Sequence, residues 1–357
     1  MYHISSIPTG EHLLWRRSAL GDTELIAKHI GEIRYKLFIP SQLCKTTKEH
    51  PYPEDFEEFL DWFPTEKDCR DYLEWVRWSD GFVCPKCGHT VCWELERGIR
   101  KCAKCRKQIS VTNGTVFDSG KKSLRLWFHV MWLLMAQKTG VSAQNFQDMF
   151  GFGSYQTTWG WLQKLRSVMI RKGRDMLSGR IEVDETYIGG QKEGKRGRGA
   201  ANKTLVLVAV EGDKGAKLGR VRFRIVNTHS SEEIKAFVSD YVAPGSTVVT
   251  DGLKSYNFFE GLNIKHEPYV LAHGTSNADS NLEHVHLVIS LVKRWMLGTL
   301  QGAVTTEHMS GYLDEFSFRF NRRMSTHRGK LFLRLVQQAI TARPKNIKEL
   351  YNHREAK

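Results

Sequence analysis

The sequence predicts an α/β domain in its C-terminal half, preceded by a metal-bound cysteine module and a helical region. Three observations carry this. Two Cys-x2-Cys pairs, Cys84/Cys87 and Cys102/Cys105, stand fourteen residues apart. Residues 123–173 are strongly helical in pattern, with Gly151 and Gly153 separating two periodic stretches. From residue 181 the order becomes strand–strand–strand–helix–strand–helix–strand–helix, an α/β layout with an antiparallel start.

Composition narrows the class of function. A chain of 357 residues has room for two or three domains. Its formal charge of +14 points to a polyanionic partner, against the plainer reading of a generally basic surface. The longest apolar run, Leu126 to Ala136, is shorter than the roughly 20 residues a membrane helix needs. The first residues lack a basic stretch followed by an apolar run and a cleavage site. The expectation is a cytoplasmic protein, nucleoid-associated when bound to DNA, with no membrane partner. Seven cysteines, four of them paired in sequence, fit metal binding in a reducing compartment better than a disulfide framework.

Residues 1–53 form an N-terminal segment with no clear period and no assigned role. Residues 54–120 hold two short amphipathic helices split at Pro64, then the cysteine module. Residues 121–178 form the helical region. Its stretches at 143–150 and 155–168 have the spacing of a helix-turn-helix, although a plain helical hairpin shares it. Trp127, Trp132, Trp159 and Trp161 fall at helical positions and are expected in the core. Residues 179–342 form the α/β domain, with strands at 181–190, 203–212, 219–227, 246–252 and about 266–271. Helices are expected at about 231–242, 255–261, 281–297, 307–319 and 329–341. Residues 343–357 form a C-terminal tail.

Each cysteine pair can bring two thiolates to one tetrahedral ion, and the two together close a structural site. Thr90–Glu96 and Gly98–Lys101 read as a hairpin between them, so the module is a zinc ribbon holding one Zn2+ on Cys84, Cys87, Cys102 and Cys105. So small a segment needs the metal to hold a core. Arg97, Lys104 and Lys107 stand among the basic residues crowding the module and suit a DNA phosphate backbone.

Asp184 lies inside an otherwise apolar strand, on the same side as Glu182 and Thr186. An acid there is costly unless paired or bound to a cation. Asp251 ends another strand. Two aspartates near one sheet edge fit a site for two Mg2+ or Mn2+ ions serving phosphoryl transfer. A third ligand is needed from the helix beyond residue 280. Glu283 and His286 lie near one helix face with Lys293, and Asn281 is a further polar candidate.

The stretches RWSDGFVCPKCG, CAKC, ISVTNGTVFDSGKKSLRLWF, VDETYIGGQKEGKRGRG, VVTDGLKSY, HVHLVISLVKRWMLGT and GYLDEFSFRFNRR, in this order, resemble the DDE transposases of bacterial insertion sequences. The resemblance is closest to the zinc-ribbon group related to the Merlin elements, and it spans about residues 54–340. It implies a ribonuclease-H-like mixed sheet flanked by helices. It matches the first two acids to Asp184 and Asp251. The third position, seven residues before a helix lysine, is His286 here instead of an acid, with Glu283 one turn earlier as the alternative. It also implies that Lys293 reaches a DNA phosphate. The basic loop holding Lys192, Lys195, Arg196 and Arg198 would meet DNA.

The resulting expectation is a transposase that binds the terminal repeats of its element, cuts DNA with metal ions and joins the 3′-hydroxyls to target DNA. Double-stranded DNA is the partner, and pairing two ends calls for at least a dimer. Two alternatives share the motifs: a non-catalytic zinc-ribbon DNA-binding protein, and a nuclease or resolvase on the same fold.

Overall fold

A computed structural model describes residues 51–118, 122–171, 173–189, 203–213, 215, 217–251, 262–269, 282–301 and 304–342. The segment 1–50, the helix expected at 255–261, Asn281 and the tail beyond 342 lie outside the described residues. All the elements described below belong to the unit that begins at Tyr52.

Helices α1 (Phe56–Trp62) and α2 (Glu66–Arg77) stand on either side of Pro64, as expected. Asp55 caps α1, and Thr65 with Asp68 forms a reciprocal capping box on α2. The ribbon comes next. Strand β1 (Cys92–Leu95) turns through a short 3-10 segment, Glu96–Gly98, into β2 (Ile99–Cys102), which pairs antiparallel with β3 (Gln108–Ile109). Its own buried apolar cluster is only Phe82, Cys84, Cys102 and Ile109, with Trp78 packed alongside. Such a core is too small to hold itself together without a metal.

Helix α3 (Leu124–Ala136) is apolar nearly all round, and eight of its residues are buried. An all-round apolar helix belongs inside a core, which explains why its sequence shows no clean amphipathic stripe. Around it close Phe59 and Phe63 of α1 and its cap, Tyr72 of α2, and Phe332 of the last helix, α9 (Arg328–Thr341). The C-terminal helix therefore packs with the N-terminal helices, although it follows the α/β domain in sequence.

Helices α4 (Ala143–Phe150) and α5 (Tyr155–Arg166) flank the turn at residues 151–154. Gly151 ends α4 in the left-handed region at φ 61°, a conformation glycine adopts without steric cost. Ser142 and Ser154 cap the two helices. Eight of the twelve residues of α5 are buried, so it offers solvent little beyond its first turn, at Tyr155 and Gln156. A groove-reading helix needs a free face, and α5 serves chiefly as a core element. The four tryptophans named above are buried, Trp127 lying flat on Trp161 at 3.5 Å.

The C-terminal part is built on a five-stranded mixed sheet in the order β6-β5-β4-β7-β8. Its strands are β4 (Arg180–Ile188), β5 (Thr204–Glu211), β6 (Val221–Val226), β7 (Thr247–Thr250) and β8 (Lys265–Pro268). The first three run antiparallel; β7 and β8 join parallel to β4. This is a mixed sheet of the ribonuclease-H-like kind. One face packs on α6 (Ser231–Tyr241), through Leu205, Leu207 and Ala209 against Ile234, Phe237 and Val238. The other packs on α7 (Glu283–Leu300) and α8 (Met309–Phe320), through Val206, Val208 and Val210. Burial on both faces is why β5 reads TLVLVAV, an unbroken apolar run.

Candidate functional site

Two chemical centres emerge, and the ribbon is the simpler. The four cysteine Sγ atoms all lie within 4.8 Å of one another. Cys84 Sγ is 3.5 Å from Cys105 Sγ, and Cys87 Sγ is 3.6 Å from Cys102 Sγ. Tetrahedral zinc with bonds near 2.3 Å spaces its sulfurs by about 3.8 Å, so the set fits the ion. Backbone turns aim the thiols: the Gly88 N–H donates to the Cys84 carbonyl and the Arg106 N–H to the Cys102 carbonyl. Burial opposes ionisation of Cys84, but the N–H groups of Lys86 and Cys87 and the thiols of Cys105 and Cys87 together outweigh it and hold the thiol down to about 6. At Cys87 the His89 N–H is outweighed by burial and the neighbouring thiols, which push that thiol up to about 11. Cys92 is a β1 residue outside this group, and Cys69 is a buried thiol whose pKa burial raises.

Lys104 and Lys107 are exposed on the ribbon beside Lys86 and Arg106. Arg100 is used internally, paired with Glu74 at 2.9 Å and stacked over Trp78. The side chain of Arg97 lies outside the described residues, as do Lys192, Lys195, Arg196 and Arg198.

The second centre sits on the α7 face of the sheet. The parallel register pairs Arg180 with Thr247, Ile181 with Val248 and Glu182 with Val249. Continuing it by two residues brings Asp251 alongside Asp184. On β4 the alternation places Val183 in the α6-side core and leaves Glu182 and Asp184 facing α7. From that helix the His286 Nε2 comes within 3.4 Å of Asp184 Oδ2. The Asp184 carboxylate raises the His286 pKa above its ordinary value against the opposing effect of burial, and Glu182 and Asp251 add to the pull. Asp184, Asp251 and His286 thus share one electrostatic neighbourhood.

Glu283 faces elsewhere. Its Oε1 accepts a hydrogen bond from the Gly215 N–H at 3.3 Å, in the β5–β6 connection. Lys293 lies two turns beyond His286 on α7. Burial and then the charge of Lys203 lower its pKa, and Asp184 acts in the opposite sense. Two lysines, Lys203 and Lys293, therefore lie close enough to feel each other near Asp184.

Sequence reading missed the device that seats this helix. Residue Leu282 precedes α7 and offers no capping side chain. The buried Glu182 supplies the cap from the neighbouring strand: its Oε2 accepts the Val285 N–H at 2.9 Å, and its Oε1 takes the His284 Nδ1–H at 2.8 Å. Free N–H groups at a helix start favour an anionic acceptor. The signal was present in the pattern, since Glu182 shares its strand face with Asp184 and His284 stands two residues before His286.

Among the described residues, the cysteine set is the group whose potential ligand atoms crowd within 4.8 Å. Asp184, Asp251 and His286 form a looser set. Two ions about 3.5–4 Å apart would call for such a spread; the two carboxylates are oxygen donors of the kind hard divalent cations take, and the imidazole is a softer donor beside them.

A mixed sheet with two aspartates on adjacent strands, covered by a helix with a histidine and a lysine and preceded by a four-cysteine ribbon, is the arrangement that comparison with known proteins addresses. Residues 176–321 match the ISXO2-like transposase domain, and residues 64–108 match the transposase zinc-ribbon domain. The chain thus carries a zinc ribbon and a DDE transposase domain of the insertion-sequence kind. It is also similar to an uncharacterized protein in transposable element ISH50 of Halobacterium salinarum, 24% identical over 278 residues covering 72% of this chain and 91% of that protein. A pre-cleavage Mos1 transpososome structure aligns over 61% of this chain and 79% of that chain, at 12% identity and a TM-score of 0.24. Among the described residues no helix is long and apolar enough to cross a membrane.

Proposed function

We propose that this chain is a transposase that cuts DNA at the ends of its element and joins those ends to target DNA. The observation that carries the reading is the convergence of Asp184, Asp251 and His286 at the α7 face of the sheet. Asp184 and Asp251 would hold the divalent ions, with His286 as the third ligand. Bound there, the ions would lower the pKa of an attacking water or hydroxyl and stabilise the leaving oxygen.

The protein's own residues do the positioning. Asp184 and Asp251 fix two oxygen donors on adjacent strands, and His286 completes the set from a helix that Glu182 holds in register. Lys293 and Lys203 draw a phosphodiester toward the acids. In the first step water attacks the phosphorus at the element end, and the P–O3′ bond breaks to leave a 3′-hydroxyl and a 5′-phosphate. In the second that hydroxyl attacks a target phosphodiester, forming one P–O bond as another breaks. The ribbon, with Lys104 and Lys107 exposed, and the basic stretch of sequence at 192–198 would grip the duplex. Two ends must be held together, so at least a dimer assembles on DNA.

The test is strand transfer with DNA carrying the element's ends and Mg2+ or Mn2+. Joining that Asp184→Ala and Asp251→Ala each abolish supports the reading. Binding without cutting or joining, in zinc-loaded protein, would assign the chain to DNA binding alone. Cutting without joining would assign it to the nucleases.

A further inference from the structure

The residues around the start of β6 form a cavity of about 220 Å³ that none of the chemistry above uses. Five arginines line it, Arg171, Arg174, Arg220, Arg222 and Arg322, against one acid, Asp175. It is distinct from the metal-site candidates. Asp184 faces the α7 side, whereas Arg222 pairs in register with Ala209, whose side chain belongs to the α6-side core. The two side chains leave opposite faces of the sheet, and the cavity lies at its outer, β6 edge.

Arg222 is the central residue. It is only 3% exposed. Its Nη1 and Nη2 donate to the carbonyls of Val221 and Asp175, while its Nε is buried and has no hydrogen-bond partner. No carboxylate makes an ion pair with it among the described residues. A guanidinium withdrawn from water without an anion is costly. Its neighbours make matters worse. Burial first, and then the charges of Arg174 and Arg220, bring the Arg222 pKa down to about 10.

The remaining cations are held in place by other means. Arg220 is tied to Glu211 by Nε–Oε2 at 2.7 Å and Nη2–Oε1 at 2.5 Å. Arg322 stacks on Phe318 at 4.0 Å and donates one Nη1 hydrogen bond to the Phe318 carbonyl, leaving its other N–H groups to spare, and Arg174 lies over Tyr241 at 5.3 Å. Stacking leaves guanidinium edges available to a ligand. Among the described residues the ion-pair partner of Arg171 is the exposed Asp175, at 4.0 Å. Gln338 adds a second buried polar atom without a partner, its amide oxygen, and turning that amide over would present its NH2 there instead.

Fork-shaped donors converging on a small opening match the geometry of a phosphoryl group. The volume is below the range typical of whole small-molecule ligands, so a single phosphate fits better than a nucleotide. We propose that this arginine cavity is a second phosphate site, taking one backbone phosphate of a DNA segment that passes along the β6 edge, away from the metal-site acids. This rests on the transposase reading above for its partner. A cavity at the outer edge would let one molecule hold a stretch of DNA that is not being cut.

The test uses the full-length, zinc-loaded protein and a random-sequence duplex, with affinity measured by fluorescence anisotropy over a series of salt concentrations. The variant is Arg171→Gln/Arg174→Gln, which leaves the buried Arg222 in place. Lys235→Gln, an exposed change on α6, is the control. Melting temperature and zinc content confirm that each protein is folded. The double variant is expected to bind the duplex more weakly and with a salt slope shallower by about 0.9 for one phosphate no longer neutralised. Lys235→Gln is expected to retain the wild-type slope. A double variant with wild-type slope and affinity would overturn the proposal while leaving the transposase reading intact. If the wild-type protein itself binds no duplex, the DNA reading fails with it. A parallel arm adds inorganic pyrophosphate. Stabilisation of the wild type by pyrophosphate, lost in the double variant, with an unchanged DNA slope, would assign the cavity to a free phosphorylated ligand and overturn the DNA assignment.

Discussion

Arg166 of α5 and Glu315 of α8 form an ion pair, Nε to Oε2 at 2.7 Å, with side chains 2% and 0% exposed. It joins the helical region to the sheet domain. Arg319 completes a triad by donating to the other Glu315 oxygen at 3.2 Å and to the carbonyls of Gln137 and Lys138. Helices α5 and α8 and the end of α3 therefore meet at one carboxylate. Gly140 lets the chain pass close by: a Cβ there would fall 2.6 Å from Arg319 Nη1 and 2.7 Å from Trp295 Nε1.

Removing the shared carboxylate strands two guanidinium groups in a dry site. Glu315→Ala is expected to cost about 3–5 kcal/mol of stability, the usual loss when one partner of a buried pair is deleted. Gly140→Ala should be destabilising too, since its φ of 77° and its crowding both oppose a side chain. Denaturant unfolding measures both. A Glu315→Ala protein as stable as the wild type would mean that the triad contributes nothing to joining the two regions.

The ribbon should depend on its metal independently of the rest. One zinc per chain is expected, abolished by Cys102→Ser, whose parent thiol is fully buried in the module. Chelation should then remove hydrogen-exchange protection from residues 82–109 and spare the β4–β5 pairing. Protection of the ribbon that survives complete removal of zinc would overturn a structural role for the ion.

The sequence made some parts of this molecule legible and hid others for physical reasons. The ribbon was readable because zinc restricts ligand type and spacing together. The succession of strands and helices along the chain, with its antiparallel start, followed from the residue patterns, and Asp184 stood out as an acid in an apolar strand, whereas the lateral order of the sheet is set by long-range pairing that no local pattern reports. The bond between Glu182 and His284 joins residues 102 positions apart, and no local pattern reports such a meeting. The docking of α9 on α2 and α3 was hidden likewise, since an amphipathic stripe says that a helix is buried but not against what. Helix α5 shows the converse: its spacing was equally that of a helix-turn-helix and of a plain helical hairpin, and what the spacing did not report is its burial, which leaves little beyond the first turn exposed. The arginine cavity is assembled from four separate segments, so its residues looked like scattered surface charge.

Glu182 is the clearest positioning residue. Glu182→Gln keeps the size and one acceptor oxygen but gives up the charge that holds the α7 N–H group and the His284 ring. Under the proposed reading, strand transfer should fall roughly 10–100-fold, the range seen when groups that orient metal ligands are lost. Duplex affinity should stay unchanged, and more Mn2+ should be required for half-maximal rate. A variant that loses stability but shows wild-type metal dependence once corrected for the folded fraction would reduce Glu182 to a packing role.

The third ligand can be settled by comparing His286 with Glu283. The imidazole of His286 lies 3.4 Å from Asp184, whereas Glu283 is engaged with the Gly215 N–H. Both side chains are on the first turn of α7, so replacing either leaves the helix body and its buried Val285, Val288 and Val292 in place. His286→Ala is therefore expected to abolish strand transfer as completely as Asp184→Ala does. Glu283→Ala should retain activity within about tenfold, the effect of a lost hydrogen bond worth roughly 1 kcal/mol. His286→Glu should recover part of the activity with Mg2+, because a carboxylate there supplies an oxygen donor. The reverse ranking, with His286→Ala active and Glu283→Ala dead, would move the third ligand to Glu283 and would require α7 to turn on binding metal, which the bonds from Glu182 to Val285 and His284 oppose.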